Sequence, residues 1–372
     1  MCDLVGTNAP AGGPPGLAVP HPPINVAEAR TAGHPVRLWP NWLGHCYANA
    51  DPPMKTFRQL AAALLFVVPT CISVAAFAQP ASTSVDRKAC IDSGSAATPE
   101  AAIAACTRLL EALAPGEIAS SEGAATYIAR GNLYSVQGEV DRAIADYDIA
   151  ITLDPNRAVT FFNRATALME KGEIDRALFD FDHAIELDPR DADAHVGRGR
   201  AYYQKKDYAA ALADYDAALR LVPDNPEALA ERGDAHERAG LYDRAADDYG
   251  RLIDIEPGNA KAWNNRCWDR ALSGHLEDAL ADCNEALRLA PDDAGALDSR
   301  GFTYLKLGRF EQAIADYNAA LARSPRDSGS LYGRGLARLR FGDADGGRAD
   351  LAAAKALDPD VAAEFARYGF VE

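Results

Sequence analysis

The sequence predicts an all-α solenoid of stacked helix-turn-helix units. Three observations carry this. Seven prolines, Pro155, Pro189, Pro223, Pro257, Pro291, Pro325 and Pro359, stand 34 residues apart with no insertion or deletion between them. Small residues recur at fixed places in the same register, and glycine falls midway between successive prolines in six of seven units. A fixed period of this length marks an array of identical supersecondary units, each packed only on its neighbours. Such an array offers a long surface to a partner and prepares no obvious pocket for chemistry.

With proline at position 32, the units begin at Ala124, Ala158, Ala192, Pro226, Ala260, Ala294 and Ser328. Position 8 is small throughout: Gly131, Ala165, Gly199, Gly233, Cys267, Gly301 and Gly335. Positions 20 and 27 are mostly alanine, with Gly347 and Leu252 as exceptions. Position 24 supplies bulk: Tyr147, Phe181, Tyr215, Tyr249, Cys283, Tyr317 and Leu351. Small residues facing large ones let two helices approach closely. The first helix ends at position 15, where glycine suits a left-handed residue. Lys206 is the exception there. An acid three residues later, as in Asp141, Asp175, Asp243 and Glu277, favours the start of the second helix. Apolar residues then recur at helical spacing until the proline ends the unit. Each unit is therefore helix A, tight turn, helix B.

This framework resembles the tetratricopeptide repeat family. Tyr127 and Trp263 match its aromatic at position 4, and Tyr134, Tyr202 and Tyr304 its tyrosine at position 11. The alanines at 20 and 27, the ring at 24 and the proline at 32 complete the match over residues 124–359. The resemblance implies a right-handed superhelix and a partner-binding concave groove lined by helix A, mainly at positions 2, 5, 9, 12 and 13. On that basis the groove is richest in Lys261, Asn264, Trp268, Asp298, Phe302, Leu305, Lys306, Tyr332, Leu336 and Arg340. Packing of the aromatics between repeats is the competing role. A carboxylate-clamp pattern is not assembled: Asn132 and Asn163 occur without partner lysines.

One departure from the family is informative. Position 7 is arginine in all seven units (Arg130, Arg164, Arg198, Arg232, Arg266, Arg300, Arg334). Position 23 is aspartate in all seven (Asp146, Asp180, Asp214, Asp248, Asp282, Asp316, Asp350). In an antiparallel hairpin these positions can face each other, which reads as a ladder of paired charges. The alternative is an arginine stripe for an anionic ligand.

Residues 54–78 read as a secretory signal: a basic start at Met54-Lys55-Thr56-Phe57-Arg58, an apolar run from Leu60 to Phe77, and Ala76-Phe77-Ala78 before Gln79. A membrane anchor is the rival reading. Pro69 and the one-sided basic flank favour cleavage. Residues 1–53 lack periodicity and hold ten of the 22 prolines. They read as a disordered, mis-assigned extension, with translation starting at Met54. Residues 79–123 read as a linker and a degenerate leading repeat, 124–361 as the seven units, and 362–372 as a helix capping the last one.

Four cysteines follow the cleavage site. Cys90 and Cys106 are 16 residues apart, as are Cys267 and Cys283, and the second pair occupies positions 8 and 24 of unit five. Placing Cys90 at position 8 frames a leading unit, 83–116, with Thr98-Pro99-Glu100 as cap and first turn. The shared spacing argues for two disulfides between helices A and B, and so for an oxidising compartment. Zinc ligation and free buried thiols are the alternatives; no CxxC occurs.

The chain carries a net charge of −16; residues 1–78 hold four basic and three acidic groups, leaving −17 on the rest. Such acidity disfavours nucleic acid and anionic lipid as partners. The expected cofactors and metals are none. His195 and His236 fall at packing positions of different repeats, and no phosphate loop, HExxH or GxSxG is present. The expectation is therefore a non-enzymatic, periplasmic or secreted scaffold for a protein or peptide, not inserted in the membrane after cleavage. A structural subunit of a cell-envelope assembly is the alternative.

Overall fold

Local chemistry sets each boundary of the observed helices. The computed structural model describes residues 81–91, 98–113, 116 and 120–371, all within the unit Ala75–Glu372. The expectations for residues 1–78 lie outside the described residues. A leading hairpin of α1 (Ala81–Ile91) and α2 (Pro99–Ala112) precedes the seven repeats. Their A and B helices are α3 (Ser121–Val136) and α4 (Val140–Leu153), α5 (Ala158–Glu170) and α6 (Ile174–Leu187), then α7 (Ala192–Gln204) and α8 (Tyr208–Leu221). Next come α9 (Pro226–Arg238) and α10 (Tyr242–Ile255), then α11 (Ala260–Ser273) and α12 (Leu276–Leu289). The last are α13 (Ala294–Lys306) and α14 (Phe310–Arg323), then α15 (Ser328–Phe341) and α16 (Ala344–Leu357). A short α17 (Val361–Arg367) ends the array. Each helix packs on its hairpin partner, and each B helix on the next A helix.

From repeat three onward the residue before helix A is Asp191, Asn225, Asn259, Asp293 or Asp327, and its side chain accepts from the first-turn amides. This supplies an acceptor to otherwise unsatisfied donors. The first A helix starts at Ser121, earlier than the period requires, because Ser120 caps it. In α2, Thr98 caps and Pro99 opens the helix, as its sequence implies. The turns between A and B are Schellman motifs: in repeat one Glu139 N–H donates to Tyr134 O and Gly138 N–H to Ser135 O, both at 2.9 Å. All six position-15 glycines have positive φ, and Lys206 adopts the same conformation at φ 63°. The turn thus overrides the side chain.

Close approach of A to B follows from the small position 8. A Cβ built at Gly131 would lie 2.6 Å from the Tyr147 ring, and one at Gly199 2.6 Å from Tyr215. Where repeat five has cysteines at both places, Cys267 and Cys283 are bridged with Cα atoms 5.3 Å apart. Cys90 and Cys106 join α1 to α2 at 4.8 Å. Both separations are within the range a disulfide spans.

Candidate functional site: the concave face of repeats five to seven

The arginine ladder is structural. Nε and Nη2 of every position-7 arginine donate to the two carboxylate oxygens of the position-23 aspartate of the same hairpin, at 2.5–3.0 Å. All seven aspartates are buried. A planar fork on a carboxylate is the strongest geometry open to this pair. The third nitrogen, Nη1, reaches back to the preceding B helix. Arg164 meets Asp148, Arg198 meets Asp182, and Arg232 meets Asp216, at 2.6–2.7 Å. Arg300 and Arg334 meet Asn284 and Asn318 instead. Arg266 has Gly250 at the corresponding place. Position 25 thus ties repeats one, two, three, five and six to the next repeat, a role missed in the sequence.

Two histidines serve this framework. His236 Nδ1 lies 3.0 Å from the Asp248 carboxylate, and His195 Nδ1 3.4 Å from that of Asp214. Burial pushes the Asp248 carboxyl up, but its bonds to His236 and Arg232 outweigh that and hold it below its usual value. In repeats five and seven, Arg270 and Arg338 make the equivalent second contact to the ladder aspartate, at 2.6 and 2.8 Å.

The concave face changes character along its length. Position 9 reads Asn132, Thr166, Arg200 and Asp234 in repeats one to four, then Trp268, Phe302 and Leu336. In the first part Thr166 Oγ1 donates to its own helix at Phe162 O, and the other polar groups bond side chains of the face. Tyr147 Oη and Asn163 Nδ2 both donate to Asn132 Oδ1, at 2.8 and 2.9 Å, and Arg200 Nε donates to Glu231 at 2.9 Å. Tyr249 Oη donates to Asp234. In the second part rings gather: Trp268 and Phe302 have centroids 4.7 Å apart.

That aromatic groove is occupied by the chain's own C-terminal segment. Expected as a cap over the end of repeat seven, the segment extends further back. Phe365 packs on Tyr332 with centroids at 4.8 Å, as a cap should. Tyr368 reaches Phe302 at 5.6 Å and Trp268 at 5.7 Å, and Phe370 reaches Phe302 at 5.7 Å. Consequently Phe302, Tyr332 and Leu336 are at most 2% exposed, whereas Trp268 stays half-buried. The groove is therefore a filled channel rather than the open one its lining suggests. Arg340, itself exposed, donates from Nη2 to Val371 O at 3.1 Å and lies over the Phe370 ring. Lys306 Nζ sits 5.5 Å from the Phe302 centroid, and burial lowers its pKa. Ser330 Oγ donates to Asp298 at 2.5 Å; burial nevertheless pushes the Asp298 carboxyl up to about 7. Lys261 is exposed at the rim. The buried Asn264 Oδ1 has no hydrogen-bond partner among the described residues.

Where the polar and aromatic parts meet lies Asp269, at position 10 of repeat five, 0% exposed and with no hydrogen-bond partner among the described residues for either oxygen. Burial, then the neighbouring Glu237 and Asp234 carboxylates, push its pKa up to about 9. The same position holds Ala167, Ala201, Ala235 and Ala337 in other repeats. Among the described residues no group of His, Cys, Asp and Glu is arranged to hold a metal, and no helix is long and apolar enough to cross a membrane. A shallow depression on repeat two is lined by Arg164, Asp175, Arg176, Phe179 and Asp180. Arg164 and Asp180 there are already paired with each other.

Tetratricopeptide repeat models match residues 124–157, 162–226, 207–260 and 261–331. No curated protein matches the chain. Among solved structures, the C-terminal part of a TPR repeat-containing protein from Cytophaga hutchinsonii is similar at 18% identity and a TM-score of 0.52, with 68% of this chain and 98% of that one covered. The anaphase-promoting-complex assembly Cut9–Hcn1 is similar at 17% identity and a TM-score of 0.51, covering 73% of this chain and 52% of that one. YrrB, described as a TPR protein with an unusual peptide-binding site, is 25% identical with a TM-score of 0.45 over 50% of this chain and 95% of its own. With seven in-register hairpins and matching repeat models, the chain belongs to the tetratricopeptide repeat family.

Proposed function

We propose that this protein is an exported, non-catalytic scaffold that receives a segment of a partner protein in the concave groove of repeats five to seven. The fold is that of a protein-interaction scaffold. The observation that carries the finer reading is the switch at position 9 from bonded polar groups to Trp268, Phe302 and Leu336. Polar groups that satisfy one another offer little to a ligand, whereas clustered rings bury much area per side chain and dominate interface energetics. Lys306 and Arg340 place positive charge at the groove's edge and would orient the partner. Export is supported by the basic–apolar–small pattern of residues 54–78 and by two cysteine pairs with bridging geometry.

The tests are direct. Partners captured from the native host by the wild-type chain should be retained at least about tenfold less by Trp268→Ala, with helical content unchanged. Equal retention would move the site to another face. Mass spectrometry of the native protein should find its N-terminus near Gln79; recovery of residues 1–53 would refute cleavage. Non-reducing peptide mapping should link Cys90 to Cys106 and Cys267 to Cys283, and four alkylatable thiols would refute the oxidising compartment.

A further inference from the structure

We infer that residues 368–371 are a displaceable strap, and that the partner of the groove presents the strap's own chemistry: two aromatic side chains at the spacing of Tyr368 and Phe370. This rests on reading the groove of repeats five to seven as the partner site.

Two parts of the C-terminal segment do different work. Val361 and Phe365 are buried against the last hairpin and close the apolar end of the array, which every solenoid terminus requires. Closing that end does not require reaching repeat five. Phe365 itself lies 6.1 Å from the Phe302 ring of repeat six, and Tyr368 and Phe370 extend that cover, placing rings on Trp268 and Phe302. A specific turn aims them there. Gly369 has φ +91°, Phe370 N–H donates to Phe365 O at 2.9 Å, and Gly369 N–H donates to Ala366 O at 3.1 Å. This is a Schellman ending, completed by the contact of the Phe365 and Phe370 rings at 6.2 Å. The turn converts a sequence spacing of three and five residues into one aromatic face.

The attachment is built to be reversible. The helix carrying it has seven residues, too short to hold itself together without packing. Tyr368 and Phe370 are only half-buried, and Ala366, Arg367 and Gly369 are exposed. Tyr368 Oη donates to Glu364 of the same segment. A groove filled by a tethered segment binds an external one with an affinity reduced by the fraction of time it is open. The segment thus shows what the groove recognises and regulates access to it.

The experiment uses a fluorescein-labelled peptide with the sequence of residues 361–372 and follows anisotropy on adding the full chain. The wild type should bind weakly. Tyr368→Ala/Phe370→Ala in the chain, which keeps Val361 and Phe365, should bind the peptide about tenfold more tightly or better. Equal affinity for wild type and variant overturns the strap. Adding Trp268→Ala separates the two ideas. If the opened chain loses the peptide through this change, the groove is the site. If wild type and opened variant bind equally and both are weakened by it, the strap fails while the groove reading stands. If it has no effect in either, the groove reading fails. Should the double variant lose helical content, Gly369→Val, strained at positive φ, repeats the comparison by misdirecting Phe370 alone.

Discussion

Repeats one to four and repeats five to seven share one framework and differ on the surface they turn inward. In the first set, position 9 is polar, and its groups are bonded within the face, as in Tyr147–Asn132–Asn163 and Arg200–Glu231. In the second it is apolar and covered by rings from the chain's own end. The linkage between repeats changes at the same boundary. Arginines of repeats two to four reach back to carboxylates, Arg266 faces a glycine, and those of repeats six and seven reach amides. The lesson is that stability and recognition draw on different positions. Positions 7 and 23 hold every hairpin alike, and positions 8 and 24 close each one with a ring, a leucine or a disulfide, leaving position 9 free to define a site.

The sharpest way to break this contrast is to remove a side chain at position 9 in each part. Phe302→Ala should cost about 3–5 kcal/mol, the usual cost of emptying a buried aromatic site, and should release the C-terminal segment. Asn132→Ala should cost about 1–2 kcal/mol for its two lost hydrogen bonds. Thermal melts with hydrogen exchange over 361–371 distinguish them. Equal losses with the segment still protected would show that the rings are ordinary core.

Asp269, at the boundary, tests the contrast through pH. Its folded pKa of about 9 stands above the unfolded value, so the folded state keeps a proton that the unfolded state releases. Stability is therefore unaffected by this group below about pH 4 and falls as pH rises from about 4 to 9. Asp269→Ala, the residue found there in four other repeats, should stabilise by on the order of 3 kcal/mol at pH 7 and by little near pH 4. Denaturant melts at both values measure this; a destabilised variant at pH 7 would give Asp269 a partner the account lacks.

The inter-repeat link predicts a smaller difference. Arg232→Ala should cost about 2–3 kcal/mol, between the values for exposed and buried pairs, since it leaves the buried Asp248 to His236 alone and frees Asp216. Arg266→Ala should cost less, because Gly250 gives it no carboxylate behind and the charged Arg270 holds Asp282 where Asp248 has only the His236 ring. Equal costs would deny position 25 its role. Smallest is Lys206→Gly, which should stabilise by about 1 kcal/mol by relieving a left-handed residue; a loss would show that the Lys206 side chain contributes there.

Most of the framework was legible in the sequence because its causes are local or periodic. Gly138 and its equivalents mark turns, Pro155 and its equivalents mark ends, and the invariance of Arg130 and Asp146 across repeats announces a pair. The position-25 contacts were not legible, since Asp148 is an ordinary exposed helical acid until the next repeat is stacked beside it. Nor was the reach of Tyr368 and Phe370, because the superhelix decides which repeats a short tail meets. Asp269 left a usable signal: a charge at a position that is small or apolar elsewhere. Trp268 and Phe302 are neighbours, as their shared position in adjacent repeats implies, but the burial of Phe302 and Tyr332 depends on the C-terminal segment, which follows the end of the periodic pattern.

The central claim is that the aromatic part of the concave face, and not the polar part, recognises an aromatic segment. Its most direct test is anisotropy of the labelled 361–372 peptide on the opened chain, Tyr368→Ala/Phe370→Ala, carrying one further change in either part. Trp268→Ala should weaken binding by about tenfold or more, as loss of a central aromatic contact does, while Arg200→Ala should leave it within about twofold. Loss through Arg200→Ala with retention through Trp268→Ala would contradict the account.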